Sequence, residues 1–361
     1  MYDRAKANLA LAIVALLVGA PVLMRAEGFV LYPNMPQARV GHSATLLPNG
    51  QVLIVGGVAD GSDGKSVILF SPASYWSTTR PANEARWHHT ATEISPGRIL
   101  VVGGSDPITL TCSATAEIYS VNTTTWSFTG NVNEPRQFHT ATQLPGGKIL
   151  VTGGVGDDSI AKASAEVYDP VSATWSLTGS MNTARARHSA TLLRNGQVLV
   201  TGGDSGDGRT FYSSAELHDP ATGTWSYTDD LGFLGQSSAT LLQTGNVLVA
   251  NGARAALYGP RRGQFIRLGM PYSNYGEERL TLLQDGRVLM SGGKNTDGSY
   301  SYWWQLYDPS VRSWVIFPSN PMNYAHSGHT STRLLDGTVL ICGGLGSDGQ
   351  PEATTDVFFP Y

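Results

Sequence analysis

Charge is scarce in this chain: only 14% of its 361 residues are Asp, Glu, Lys or Arg, and the formal net charge is −4. A protein that neutralises many phosphates needs a basic surface, so nucleic acid is not an expected partner. Cysteine is scarcer still, with Cys112 and Cys342 alone. Two thiols in distant parts of the chain cannot make the disulfide framework of a small secreted domain, and no bridge between them is expected. No long apolar run follows residue 24, so no second membrane-spanning segment is expected. Glycine, by contrast, is abundant: 42 residues, about one in nine, well above its ordinary share. Many tight turns and few charged helical faces read as all-β. The 41% hydrophobic share is ample for a core and excludes disorder as a description of the whole. The length would hold two domains, but all-β barrels and propellers of this size often form one unit.

The exception to the missing apolar runs lies at the N-terminus. Arg4 and Lys6 precede a run over residues 9–24, interrupted only by Gly19 and Pro21, and Ala26 follows. This is the layout of a secretory signal peptide, although Met24 is bulky for the residue three before a cleavage site. Residues 1–26 are therefore read as a signal peptide, with an uncleaved N-terminal anchor as the alternative. The expected location is secreted, periplasmic or cell-surface. Residues 27–361 are read as a single domain, expected to be a monomer.

That domain repeats. Paired glycines close an apolar strand at Gly56-Gly57, Gly103-Gly104, Gly153-Gly154, Gly202-Gly203, Gly292-Gly293 and Gly343-Gly344, with Asn251-Gly252 in the fifth place. The spacings are 47, 50, 49, 49, 41 and 51 residues. In the clearest unit, residues 185–225, the segment 188–193 alternates as a first strand and Asn195-Gly196 reads as a two-residue hairpin turn. Residues 197–203 form a buried second strand. A polar loop leads to a third strand that ends at Asp219-Pro220, since proline cannot continue a ladder, and Trp225 opens a fourth. Four short antiparallel strands make one blade of a propeller, whose blades cover each other's faces round an axis. Trp76, Trp126, Trp175, Trp225 and Trp314, with Phe265 in blade five, occupy the fourth-strand position and read as packing between blades. The seventh repeat stops before its outer strand, while residues 29–42 align without gaps with residues 175–188. The N-terminal segment is therefore expected to complete blade seven.

The order R-x-x-H-[ST]-A-T, apolar-G-G, A-E-apolar-Y-D-P, W resembles the kelch family, including the propeller of galactose oxidase and many bacterial kelch-repeat proteins. The resemblance covers residues 29–361 and implies a seven-bladed all-β propeller; it implies no particular activity, because the fold serves enzymes and binding proteins alike. It also brings an oxidase reading to be weighed. Galactose-oxidase-like copper enzymes use a Tyr-Cys crosslink, a Tyr-His dipeptide and a further His in a C-terminal domain. The sequence has no Tyr-His dipeptide and no such domain, so neither copper nor another cofactor is expected.

The loops between second and third strands share a face with the linkers between blades, and several are aromatic. Tyr302, Trp303 and Trp304 in blade six, with Tyr275, Tyr324, His326 and Trp87 in linkers, offer flat rings for sugar faces. Glu278 is the remaining binding candidate. The expected ligand is a carbohydrate or a protein partner, bound on the rim over blades five to seven. The alternative is a sugar-modifying enzyme of epimerase or lyase type using Glu277, Glu278, Arg279 and His326 as acids and bases. A clustered acid and base in a deep axial pocket would favour that alternative. Several of these rings read equally as loop packing. Asp-Gly loops read as turns rather than calcium sites. His42, His89, His139, His188 and His329, replaced by Ser237 and Glu278, read as a repeated structural hydrogen bond; ligands spread round a channel cannot share one metal. Arg39, Arg86, Arg136 and Arg185, with Glu117, Glu166 and Glu216, suggest buried ion pairs joining blades.

Overall fold

The computed structural model describes residues 27–59, 63–252, 254–269, 276–295, 297–316 and 321–360. The signal-peptide segment and Tyr275 lie outside these residues. Seven four-stranded antiparallel sheets stand round an axis, and no helix occurs among the described residues.

Blade four shows the rule. Its first strand, Ser189–Leu192, pairs with Val198–Thr201, which pairs with Ala215–Asp219, which pairs with Thr224–Tyr227. The second strand is buried along its whole length, so it reads as a continuous apolar run rather than an alternating one. The hairpin before it is longer than the two residues expected. Gly196 N donates to Leu193 O at 3.0 Å and Leu193 N to Gln197 O at 2.8 Å, with Gly196 at φ 87°. This is a three-residue loop in which a left-handed glycine follows a tight turn.

Each paired glycine ends a second strand for steric reasons. Gly56 and Gly57 both have positive φ, and a Cβ on Gly56 would lie 2.3 Å from the Arg86 carbonyl oxygen. That approach carries a ladder between blades: Gly57 N donates to Arg86 O at 2.9 Å, Gly104 N to Arg136 O at 2.8 Å and Gly154 N to Arg185 O at 3.0 Å.

The arginine side chains do a different job from the one expected. Arg86 Nε meets Glu117 at 3.0 Å, Arg136 Nη2 meets Glu166 at 2.8 Å and Arg185 Nη2 meets Glu216 at 2.9 Å, with both partners fully buried in each pair. Each pair clasps an incoming linker to the blade it enters; the arginine carbonyl, not its charge, joins neighbouring blades. Arg39 has no carboxylate, because Ile68 stands in the glutamate column, and its guanidinium bonds Gly56 O and Ser66 instead. In blade seven His326 and Asp356 replace the pair.

Hydrophobic clusters lie between adjacent blades. Leu144, Leu150, Met181, Val198 and Val200 join blades three and four, for example, with Trp225 packed against them. Each fully buried Leu or Val contributes about 1.5–3 kcal/mol. The fourth-strand rings also pack within their own blades: Trp126 lies 5.0 Å from Tyr119 and Trp175 5.0 Å from Tyr168, centroid to centroid. Their indole N–H groups then reach the preceding blade, Trp126 to Arg80 O at 3.0 Å and Trp175 to Gly130 O at 2.6 Å.

The N-terminal strand closes the ring as expected. Gly28–Leu31 pairs antiparallel with Thr355–Phe359, and Phe29 packs 5.2 Å from Phe358 and 5.6 Å from Trp304.

Candidate functional site

The inner strands start around an axial cavity of about 690 Å³, which opens on the loop face. Its lining follows from three successive columns of the repeat. The middle column is the histidine ring. His89 Nε2 bonds Ser43 Oγ at 2.8 Å, His139 bonds Thr90 at 2.9 Å, His188 bonds Thr140 at 2.9 Å and His42 bonds Thr330 at 3.0 Å. Each bond crosses from one blade to the one before it, which is the structural role read from the sequence. Burial, the largest cause, lowers every one of these histidines, His89 and His188 to about 3, so the ring is neutral at physiological pH.

The column before it faces the mouth and varies: Gly41, His88, Phe138, Arg187, Gln236, Glu277 and Gly328. His88, Phe138, Arg187 and Glu277 hold φ between 50° and 63°, beside Gly41 at 68° and Gly328 at 62°. Four side chains thus stand where glycine is the relaxed choice. Three of them form a stack across blades two to four. His88 lies 4.0 Å from the Phe138 centroid, and the Arg187 guanidinium carbon sits 4.0 Å over the other side of that ring, within the range of a cation–π contact. Trp87 flanks His88 at 4.4 Å. Arg187 is fixed by buried Asp204 at 2.9 and 3.2 Å, and Gln236 Nε2 donates to the same carboxylate at 3.1 Å.

The opposite wall is acidic and basic. Glu278 takes the histidine place in blade six and is 1% exposed. The backbone N–H groups of Glu278 itself and of Gly252 face its carboxylate, yet neither oxygen completes a hydrogen bond. Burial, aided by Glu277, raises its pKa to about 7. Glu277 beside it is exposed and accepts the Ser327 hydroxyl. Arg279, in the third column, is exposed on the wall of the channel, and the surrounding protein lowers its pKa by desolvation.

Of the binding candidates singled out from the sequence, Trp87 and Glu278 line this cavity, as do Glu277 and Arg279 of the acid–base set; Tyr302, Trp303, Trp304, Tyr324 and His326 are not among its lining residues, and Tyr275 lies outside the described residues. Trp304 is 1% exposed, packed against Phe29 and Phe358, so it has no face to offer a ligand. His326 is fully buried, with Nδ1 3.0 Å from Gly343 O and Nε2 3.4 Å from Asp356; it substitutes for the clasp arginine. Tyr302 is 40% exposed on its loop, and Trp303 and Tyr324 are half-buried. This cavity lies on the axis, not over the rim of blades five to seven. Arg187 and Gln236 were not legible as site residues singly, although the column holding them stands next to the most constant residue of the repeat. The Asp-rich loops form turns: Asp207 accepts Arg209 N at 3.0 Å and Asp348 accepts Gln350 N at 2.9 Å.

A closed seven-bladed ring with a pocket on its axis defines the class of protein. The family profile described as the KLHDC2/KLHL20/DRC7 Kelch-repeats domain matches residues 24–203, and the chain belongs to the kelch-repeat β-propellers. The match ends at the second glycine of blade four, just before the arginine and histidine columns break down. Among solved structures, a fungal alcohol oxidase of the AA5 family, in complex with copper, superposes with a TM-score of 0.69 at 17% identity. The alignment covers 92% of this chain and 75% of that one; at such identity the likeness is one of fold. Matches extend to 962 solved chains; likeness of fold alone selects no activity. No curated protein sequence matches.

Proposed function

We propose that the protein binds a small hydroxylated ligand, a carbohydrate by chemical class, in its axial pocket. The observation that carries this reading is the set of four non-glycine residues held left-handed round the mouth. Each costs roughly 1–2 kcal/mol of backbone strain. Gly41 and Gly328 make the same turn without a side chain, so the blade itself does not require one. What the four side chains provide is a wall of flat rings facing polar groups, which suits a sugar's apolar face and its hydroxyls. The cavity volume lies in the usual range for small-molecule sites.

The test is a glycan array probed with the full chain, alongside Phe138→Ala and, as a rim control, Trp303→Ala. Binding that falls at least tenfold in a folded Phe138→Ala protein and persists in Trp303→Ala supports the reading. No binding to any glycan, or equal binding by all three proteins, rejects the axial site and turns the search to a protein partner on the loop face. Export to the periplasm or cell surface belongs to the same proposal and rests on the sequence of residues 4–26. N-terminal sequencing of protein recovered from cell fractions tests it.

Glu278 favours a second reading, that the pocket also transfers protons. A buried carboxyl with no hydrogen bond is expensive, and one poised near neutrality is suited to serve as both acid and base. An acid–base enzyme acting on a sugar would lose turnover in Glu278→Gln while keeping its affinity for substrate. A purely binding pocket would show no turnover in either form.

A further inference from the structure

We propose that the ligand of the axial pocket carries a carboxylate, received by the guanidinium of Arg279. This rests on the axial site argued above and adds the chemistry of what enters it. The position of Arg279 is occupied in the other blades by Ser43, Thr90, Thr140, Ser189, Ser238 and Thr330. Four of those hydroxyls are spent on the histidine of the following blade, and Ser189 donates to the Ser237 carbonyl. Arg279 has no such duty. The histidine that would have used a hydroxyl there, His329, bonds Ser291 Oγ at 2.9 Å instead. The ring is thus closed around blade six without Arg279, and the guanidinium is left to the channel.

Its bonding capacity is largely unspent. Nη1 donates to the Glu278 backbone carbonyl at 3.2 Å, and among the described residues Glu278 and Glu277 act on it only through their charge. The other pocket arginine, Arg187, is committed to Asp204. The five ring histidines are buried and neutral. Among the described residues of the pocket, Arg279 is thus the cation without an ion-pair partner, and its planar guanidinium matches a planar carboxylate with two parallel bonds. A phosphate dianion would bring a second charge beside two glutamates.

The test is calorimetric titration of the full chain with two matched pairs, glucose and glucuronate, galactose and galacturonate, with inorganic phosphate as a competitor. The expected result is that at least one uronate binds tenfold or more tighter than its neutral parent, the range of a charge-assisted hydrogen bond. In Arg279→Gln the preference falls to within about twofold, and Arg279→Lys keeps part of it. The wild-type preference also narrows as salt rises from about 0.05 to about 0.5 M, a readout that needs no variant to fold. Neutral sugars binding as tightly as uronates would overturn the carboxylate while leaving the axial site standing. Phosphate displacing better than either uronate would also overturn it. Binding of none of the four sugars would sink both readings together.

Discussion

Glu278 stands where five other blades place a histidine, and its environment holds the carboxyl up to about 7. The ordinary value is near 4.3, so folding takes up a proton between the two. Stability therefore falls as pH rises through this window, and the penalty persists above it. Glu278→Gln is expected to be more stable than wild type at pH 8, by up to about 3 kcal/mol, and indistinguishable from it near pH 4. Urea unfolding at the two pH values checks this. The histidines of the same ring titrate in the opposite sense. Burial pushes His188 down to about 3, so below about pH 6.5 the unfolded chain takes up protons that the folded one refuses. The stability His188 contributes is present above that pH and lost as pH falls. His188→Gln should soften the acid limb by roughly 2–3 kcal/mol between about pH 6.5 and pH 4.5, measured against wild type by the same method. An unchanged limb would mean that this ring is protonated in the fold.

Within a blade, the clasp of arginine and glutamate is the element most exposed to mutation. Removing one partner leaves a charge buried and uncompensated, so Glu216→Ala, which strips Arg185 of its carboxylate, should cost about 3–5 kcal/mol. Blade five does without the clasp, with Leu234 and Ala256 in the two columns. The double variant Arg185→Leu/Glu216→Ala should accordingly cost less than Glu216→Ala alone; denaturant unfolding of both variants decides. The clasp and its columns were legible in the sequence because each repeat is a copy of the next. Which contact crossed to the neighbouring blade was not, since it is a backbone carbonyl and carries no side-chain signature. Trp304 was misplaced for a related reason. It begins the strand Trp304–Asp308 in register with Ala215 and Ala255, the column turned into the core, while its neighbour Trp303 lies on the loop side. The richness of rings on that loop drew attention to the rim, whereas the pocket shows as a column of unlike residues, of which Glu277 was legible as a candidate acid and Arg187 and Gln236 were not. Phe138 and Arg187 meet only because consecutive blades set their linkers side by side.

At the scale of the ring, stability depends on a four-residue strand from the start of the domain. Phe29 packs on Phe358 and Trp304, and truncating it to alanine should cost about 2–3 kcal/mol. A chain lacking residues 1–31 would leave Thr355–Phe359 as an open edge, a template for pairing with another molecule. Light scattering after gel filtration should find this truncated form associated and the full ring monomeric; a monomeric truncation with an unchanged melting temperature would show that the closing strand is dispensable. The two glycines of the pocket mouth, Gly41 and Gly328, sit in blades one and seven, beside this closure. The cavity therefore has no complete wall until both ends of the chain have met, and no partly assembled ring offers it. A ligand that needs the whole circumference recognises only the fully closed molecule. Its binding adds undiminished to the free energy of global unfolding, about 2.7 kcal/mol at a hundred times Kd, and slows hydrogen exchange in all seven blades, not merely in the residues it touches.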